Sequence, residues 1–275
     1  MEALDTKKVE DYWNKVQPTA KSTSVSIVKI NGLLSFRQKK EQQYLARYFS
    51  QFKVSEKSKI LDLGSGVGVW TTFFAESFAE VVSVERSDSL YPELQKLESV
   101  YSNVKTIKDD VTTFTSDQLF DVIFIGGTLM YLTDNQVETL LRNARGLLKP
   151  EGIIICREST LYKKDGYKSK NKDYEVIYRT PLEYKTLFQN TDYNLLKNDM
   201  NLAYAVQELL GELWEAFNST WVHTLLKMVY PFLKWIYPAS IKLTLNSILL
   251  LKIDYPKVMQ YYFVLSNDCK GEKST

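Results

Sequence analysis

The segment between Ile60 and Trp70 constrains the fold of this chain most strongly. An apolar run at 60–63 leads into glycines at 64, 66 and 68, and a stretch of helical character follows. Glycine adopts backbone dihedrals that other residues avoid, and it lets a ligand approach the main chain closely. In a parallel sheet such a turn lies at the carboxyl end of its strand, where ligands bind. The G-x-G-x-G spacing differs from the dinucleotide G-x-G-x-x-G fingerprint, which argues against a nicotinamide oxidoreductase.

Short apolar runs alternate with helix-length segments along the middle of the chain. We predict strands at 59–63, 81–84, 104–107, 122–125 and 152–156. We predict helices at 70–77, 90–101 and 133–148. Thr133 followed by Gln136 is a capping-box signal for the last of these helices. Beyond them we predict an exposed loop at 160–176, a helix at 181–189, and a final strand pair at 193–198 and 258–266. This alternation indicates an α/β fold on a mainly parallel sheet with helices on both faces.

Composition excludes several classes of protein. A chain of 275 residues with 44% hydrophobic residues can bury the core of one large domain with an insertion. Its net charge of only +2 gives no reason to expect a nucleic-acid partner. The two cysteines, Cys156 and Cys269, lie far apart and His223 is the single histidine, so we expect no metal site and no histidine-based triad. The charged start lacks an apolar run, so we expect a cytoplasmic protein.

Acidic and small residues follow the next three strands. Glu85 ends the second strand, about 20 residues beyond the glycine turn, where an acid can accept hydrogen bonds from ribose hydroxyls. Asp110 follows the third strand and can bind an adenine amino group, with Asp109 as the alternative and a turn-capping role also open. The fourth strand opens into a small-residue loop that begins at Gly126.

Together these segments resemble the class I S-adenosylmethionine-dependent methyltransferases, over roughly 59–157. The resemblance implies a Rossmann-like sheet with an antiparallel last strand, and S-adenosylmethionine as the cofactor. It places Gly126, Gly127 and Tyr131 beside the transferring methyl group, which makes Tyr131 the candidate catalytic residue, although a packing role stays open. The candidate cofactor-binding residues are Asp62, Gly64, Ser65, Gly66, Gly68, Glu85, Arg86, Asp110, Val111, Ile125 and Gly126.

A narrower resemblance concerns the acceptor. The segments at 155–160 and 176–181 are similar to phosphoethanolamine methyltransferases, which implies Tyr and Arg side chains around a phosphate. The planar fork of Arg179 matches phosphate oxygens, although Tyr178 and Arg179 could instead anchor a loop. The histidine which that family has near its catalytic loop is absent at Met130 and Tyr131. The candidate acceptor-binding residues are Tyr12, Trp13, Arg157, Tyr178 and Arg179.

We predict three regions: an N-terminal helical cap at 1–55, a core at 56–203 plus 256–270, and a helical insertion at 204–255. Part of the insertion, 219–252, is apolar and rich in Trp and Tyr, but lysines interrupt it below the length of about 20 residues that a bilayer requires. It is a lid, a homodimer interface or a peripheral membrane contact. We expect methyl transfer to a small or lipid-linked polar acceptor, with a phosphate-bearing acceptor as one candidate. The alternative is a non-catalytic S-adenosylmethionine-binding scaffold that acts through the insertion.

Overall fold

The structure is a computed structural model, and it describes residues 4–16, 33–161, 167–170, 175–205 and 258–267. The helices of this part of the chain are α1 (Thr6–Lys15), α2 (Leu33–Gln51), α3 (Val69–Ala75), α4 (Tyr91–Gln95), α5 (Asp134–Leu147) and α6 (Pro181–Asn190). The strands are β1 (Lys59–Leu63), β2 (Glu80–Val84), β3 (Val104–Ile107), β4 (Phe120–Gly126), β5 (Leu148–Leu161), β6 (Tyr167–Lys170), β7 (Glu175–Tyr178), β8 (Asn194–Met200) and β9 (Val258–Ser266). Two 3₁₀ helices, Lys96–Ser99 and Leu129–Tyr131, complete the described elements.

Seven of the strands form one sheet in the order β3-β2-β1-β4-β5-β9-β8. Strands β1 to β5 are parallel to one another, and β9 pairs antiparallel with β5. Strand β8 then pairs antiparallel with β9. The predicted α/β fold with an antiparallel last strand is therefore confirmed. Because β1 lies beside both β2 and β4, the turns that follow these three strands meet at one edge of the sheet.

Apolar residues pack on both faces of the sheet. Successive residues of its central strands are therefore apolar in the sequence. Alternate residues of β4 serve opposite faces: Ile123 and Ile125 pack in the cluster that includes residues of α5 and α6. Val122 and Phe124 pack in the cluster on the other face, which includes residues of α2 and α3. This sandwich holds the carboxyl ends of the strands in fixed positions relative to one another.

The capping signals in the sequence are confirmed at α5, where Thr133 and Gln136 exchange both hydrogen bonds of a capping box. Helix α6 begins with the same arrangement at Thr180 and Glu183. The helix predicted at 90–101 is shorter than expected, because α4 ends at Gln95 and a 3₁₀ turn continues it.

The exposed loop predicted at 160–176 is partly wrong. Strand β5 continues to Leu161, because β9 supplies pairing partners along 153–161. Strands β6 and β7 then pair as an antiparallel hairpin, and Val176 is fully buried. The charged composition of this segment concealed the pairing, since strand pairing uses main-chain groups that every residue carries.

The predicted insertion lies outside the described residues beyond Ala205, and so does His223. The proposals of a lid, a dimer interface or a membrane contact there stay predictions, as do the three region boundaries. Among the helices in the described ranges, none combines the length and the apolar character needed to cross a membrane.

Phe74 of α3 is fully buried, and its ring lies 5.1 Å from that of Phe124 and 5.9 Å from that of Phe78. We expect Phe74→Ala to lower the free energy of unfolding by about 3–5 kcal/mol, because it removes the centre of this cluster and leaves a cavity. Guanidinium denaturation measures the change. The neighbouring Phe73, which is only partly buried, is the control, and an equal loss in Phe73→Ala would contradict the central position of Phe74.

Candidate active site

A cavity of about 290 Å³ opens at the edge of the sheet where β1, β2 and β4 end. We call it the crevice. Nine of the eleven candidate cofactor residues line it, namely Asp62, Gly64, Ser65, Gly66, Glu85, Arg86, Asp110, Val111 and Gly126. These nine residues come from the carboxyl ends of β1, β2, β3 and β4 and from the turns that follow these strands.

The glycine turn and Glu85 lie against each other. The main-chain N–H of Gly66 donates to Oε2 of Glu85 at 2.8 Å, and the N–H of Ser87 donates to Oε1 at 2.8 Å. Gly64 and Gly66 have φ angles of 76° and 58°, which glycine adopts without the steric penalty of other residues. The acid and the turn thus share one crevice, which is the arrangement that the sequence predicted for an adenosyl ligand.

Two of the candidate cofactor residues lie elsewhere. Gly68 caps the start of α3 with a φ of 85°, and a Cβ atom there would collide with Leu97 and come within 2.9 Å of Leu94. Its role is therefore close packing of the helix start. Ile125 is fully buried in the core beneath the crevice. Because successive residues of a strand point to opposite faces, Ile125 faces the α5 side while the chain beyond it turns toward the crevice.

Asp62 lies at the floor of the crevice and is almost completely buried. Its Oδ2 accepts a hydrogen bond from Oγ1 of Thr71 at 2.8 Å, and Thr71 lies 2.9 Å from the hydroxyl of Ser83. Burial raises the pKa of Asp62 to about 7, against the opposing effect of hydrogen bonds from Thr71 and Ser65. A positively charged ligand group beside Asp62 would favour its ionised form.

Asp110, and not Asp109, lines the crevice. Arg86 donates to Oδ2 of Asp110 at 2.9 Å, and the hydroxyl of Thr112 donates to Oδ1 at 2.6 Å. Burial acts to raise the pKa of Asp110, but the hydrogen bonds from Thr112 and Arg86 outweigh it and lower the pKa. Asp110 is therefore ionised at neutral pH and is available as a hydrogen-bond acceptor.

Helix α1 closes one side of the crevice through Trp13. The carbonyl oxygen of Trp13 accepts hydrogen bonds from the hydroxyls of Ser87 and Ser89, at 2.7 and 2.8 Å. The Trp13 ring contacts the ring of Tyr131 edge to face, with centroids 5.1 Å apart, and both rings line the crevice. Tyr12, a candidate acceptor residue, packs against Trp13 at 5.2 Å and does not itself line the crevice, because neighbouring helical residues point in different directions.

A polar network that the sequence did not reveal forms another part of the crevice wall. Arg157 Nη2 donates to both carboxylate oxygens of Glu41, at 2.8 and 3.0 Å, and Asn201 donates to the same carboxylate at 2.7 Å. Arg37 lies one helical turn before Glu41, with 3.5 Å between its Nε and Glu41 Oε1. Arg37, Glu41 and Arg157 all line the crevice, so two guanidinium groups face one carboxylate there. The sequence pattern does not single out Arg37 and Glu41, because no local motif distinguishes two polar residues on a helix.

The structure corrects the position predicted for Arg179. Its guanidinium is 2% exposed and is absent from the crevice wall, which Tyr178 lines instead. Arg179 donates to the carbonyl oxygens of Leu129 and Leu132, at 2.9 and 2.7 Å, and to Asp134 at 2.8 Å. These contacts occupy the guanidinium group that we expected to bind an acceptor phosphate. They correspond to the alternative interpretation, in which Arg179 anchors a loop.

Comparisons with known proteins agree with this geometry. Residues 60–152 match the family described as "Methyltransferase domain". The chain is 33% identical to phosphoethanolamine N-methyltransferase 1 of Arabidopsis thaliana over 137 residues, which cover 49% of this chain and 28% of that protein. It is 26% identical to phosphoethanolamine N-methyltransferase 1 of Caenorhabditis elegans over 163 residues, 59% of this chain and 33% of that protein. The chain thus spans about a third of the length of these curated relatives.

Solved structures share the fold. An S-adenosylmethionine-dependent methyltransferase of Leishmania major superimposes with a TM-score of 0.58 at 19% identity, covering 71% of this chain and 76% of that one. One from Clostridium acetobutylicum gives 0.56 at 10% identity, covering 83% and 91%. The Rossmann-like fold predicted for this chain is therefore confirmed. The methyltransferase domain matched at 60–152 agrees with the predicted resemblance to class I S-adenosylmethionine-dependent methyltransferases and with S-adenosylmethionine as the cofactor.

The raised pKa of Asp62 has a consequence for stability. Above about pH 5 an unfolded aspartate is ionised, whereas native Asp62 keeps its proton until about pH 7. Native protein then binds one more proton than unfolded protein, so this residue contributes a slope of about −1.4 kcal/mol per pH unit to the unfolding free energy. The stability that this proton contributes is full at low pH, is lost progressively as pH rises from about 4 to about 7, and changes little above pH 7. Urea denaturation between pH 5 and 8 should give a flatter profile for Asp62→Asn than for the parent protein; superimposable slopes would contradict the shift.

Proposed function

We propose that this protein transfers the methyl group of S-adenosylmethionine to a small polar acceptor within the crevice. The observation that carries the proposal is the contact between Glu85 and the Gly66 main chain. It puts a carboxylate and an open glycine turn side by side on the wall of one cavity. The match of 60–152 to the methyltransferase domain supports it independently.

The chemistry of the crevice wall fits the parts of this cofactor. The two oxygens of Glu85 can accept hydrogen bonds from ribose hydroxyls, and ionised Asp110 can accept one from the adenine amino group. Leu90, Val111 and Met130 line the same space and supply apolar surface for the adenine ring. Asp62, below the glycine turn, is placed to face the positively charged amino group of the methionine portion. When bound, the cofactor supplies a methyl group on a positively charged sulfur.

For the acceptor we propose an amine that also carries an anionic group, such as phosphoethanolamine. The rings of Trp13, Tyr131, Tyr178 and Tyr204 line the crevice. Aromatic faces attract ammonium groups, which favours an amine there. The excess positive charge of Arg37 and Arg157 over Glu41 favours an anion nearby. The curated relatives named above are phosphoethanolamine N-methyltransferases, which supports this choice of probe.

Catalysis in such a site depends on positioning and on exclusion of water. The acceptor nitrogen must lie in line with the methyl carbon, and α1 and the loop after β4 restrict the space available to it. An amine must also lose a proton to become or remain neutral. We propose that the Tyr131 hydroxyl orients the amine by a hydrogen bond and relays its proton to solvent water, accepting that proton as it donates its own.

Removing the carboxylate of Glu85 should weaken cofactor binding. We expect Glu85→Ala to raise the Kd for S-adenosylhomocysteine about 10- to 100-fold, because charge-assisted hydrogen bonds to the ribose are lost. Isothermal titration calorimetry measures the change. Glu93, an exposed acid of α4 that pairs with Lys96, is the control, and Glu93→Ala should bind like the parent protein. An unchanged Kd in Glu85→Ala would refute the ribose role, and no binding by the parent protein would refute the proposed function.

Removing the hydroxyl of Tyr131 should slow methyl transfer. With phosphoethanolamine as probe acceptor, we expect Tyr131→Phe to lower kcat on the order of 100-fold with little change in the Kd for S-adenosylhomocysteine, since a proton-transfer contribution is of this size. Tyr91→Phe is the control, because the Tyr91 hydroxyl lies 3.5 Å from Thr106, away from the crevice wall. Parental turnover in Tyr131→Phe would leave only a packing role. If the parent protein binds cofactor but does not methylate phosphoethanolamine, the proposed acceptor is wrong and the cofactor assignment stands.

A further inference from the structure

The loop from Gly127 to Leu132 carries side chains that line the crevice where we propose that methyl transfer takes place. Gly127, Thr128 and Met130–Leu132 line the crevice on its front side. Thr128 also contacts the glycine turn, since a Cβ atom on Gly64 would collide with its side chain. The position of this loop therefore sets the distance between Tyr131 and the glycine turn.

The back of the loop rests on a buried carboxylate. Glu158 of β5 is fully buried, and its Oε1 accepts hydrogen bonds from the main-chain N–H groups of Thr128 and Leu129, each at 3.1 Å. These N–H groups belong to the first turn of the 3₁₀ helix, where the helix itself offers them no acceptor. One side chain thus satisfies two donors that burial would otherwise leave unpaired.

The carbonyl groups of the same loop rest on Arg179. Its Nη1 donates to Leu129 O and its Nη2 to Leu132 O, so its fork joins the beginning and the end of the 3₁₀ turn. Its Nε donates to Asp134, the first residue of α5. Arg179 is itself attached to β5, because its carbonyl oxygen accepts from the N–H of Leu161 at 3.0 Å. Both clamping side chains therefore project from main chain that is bonded into the central sheet.

We infer that Glu158 and Arg179 are positioning residues for methyl transfer, which hold the loop at 127–132 from behind so that Tyr131 faces the acceptor. The inference rests on the proposed function. Glu158 accepts hydrogen bonds from the N–H groups of the loop, and Arg179 donates hydrogen bonds to its carbonyl groups. Arg179 also forms an ion pair with Asp134, and its charge acts to lower the pKa of Glu158, which burial raises to about 7. Tight positioning matters because a displacement of about 1 Å at a reacting group can lower a rate on the order of 100-fold.

The chain offers a matched control for Arg179. Arg145 of α5 also donates to two main-chain carbonyl groups, those of Thr191 and Asp192, at 3.1 and 2.9 Å. Its guanidinium lies over the ring of Tyr193, as that of Arg179 lies over the ring of Tyr184. Arg145 contacts the turn after α6 and lies away from the crevice wall. Arg145→Lys therefore makes the same chemical change at a place with no connection to the loop.

The test compares Arg179→Lys with Arg145→Lys in the full chain. Turnover of phosphoethanolamine gives kcat and the KM for S-adenosylmethionine, calorimetry gives the Kd for S-adenosylhomocysteine, and thermal melting gives stability. We expect Arg179→Lys to lower kcat on the order of 100-fold with little change in cofactor KM or Kd. Arg145→Lys, at a more exposed position, should be destabilised less and should keep parental kcat. Equal kcat values in the two variants would overturn the inference.

Glu158 supplies the second pair of variants. Glu158→Gln keeps an oxygen that can accept from both N–H groups, whereas Glu158→Leu removes it. We expect Glu158→Gln to retain most of the parental kcat and Glu158→Leu to fall toward Arg179→Lys. A fall of equal size in both variants would show that the carbonyl-type oxygen is not what positions the loop, and would overturn the role of Glu158.

Amide hydrogen exchange tests the clamp without any acceptor. Exchange at 127–132 should accelerate in Arg179→Lys and Glu158→Leu but not in Arg145→Lys, while exchange in β4 stays slow in all of them. Unchanged exchange at 127–132 would overturn the inference. If the parent protein binds no S-adenosylhomocysteine, the proposed function fails by that result, whereas the exchange data still decide whether the two side chains hold the loop.

Discussion

The crevice depends on the hydrogen bond between the Gly66 main chain and the Glu85 carboxylate. This bond joins the turns that follow β1 and β2, which are neighbours in the parallel sheet. Because the sheet is buried on both faces, the two turns cannot move apart without disturbing its core. A carboxylate and an open glycine main chain are thereby held side by side on the wall of the crevice.

The remaining walls come from segments distant in the chain, and each is tied to this frame by polar contacts. Helix α1 is fastened through the Trp13 carbonyl oxygen to two serine hydroxyls just beyond Glu85. Helix α2 is attached through Glu41 to Arg157 of β5, which pairs with Gly126 at the end of β4. Buried polar groups require partners, so these contacts favour one docking position for each helix. The end of the buried sheet therefore forms the base of the crevice, and α1 and α2 are attached to it by separate polar contacts.

Sequence patterns predicted the floor well and the walls poorly. The alternation of short apolar runs with helical segments located the strands of the parallel sheet to within a few residues. The order of the glycine turn, Glu85 and Asp110 along the sequence indicated a cofactor crevice. By contrast, Arg37 and Glu41 belong to a helix whose partner strand follows more than 100 residues later in the sequence, and no local pattern reports such a contact. Arg179 is the reverse case. Its guanidinium group was expected to bind a phosphate, but it donates instead to main-chain carbonyl groups and to Asp134.

The sequence by itself determined the sheet, the glycine turn and the chemical identity of the cofactor crevice, because periodicity, turn residues and the acids that end strands act over short distances along the chain. Only the tertiary structure decided which polar side chains face the crevice and which hold its loops from behind. Tyr178 and Arg179 are adjacent in the chain, yet the first lines the crevice and the second binds carbonyl groups behind it. Neighbouring residues of an extended chain point to opposite sides, and what occupies each side depends on long-range packing.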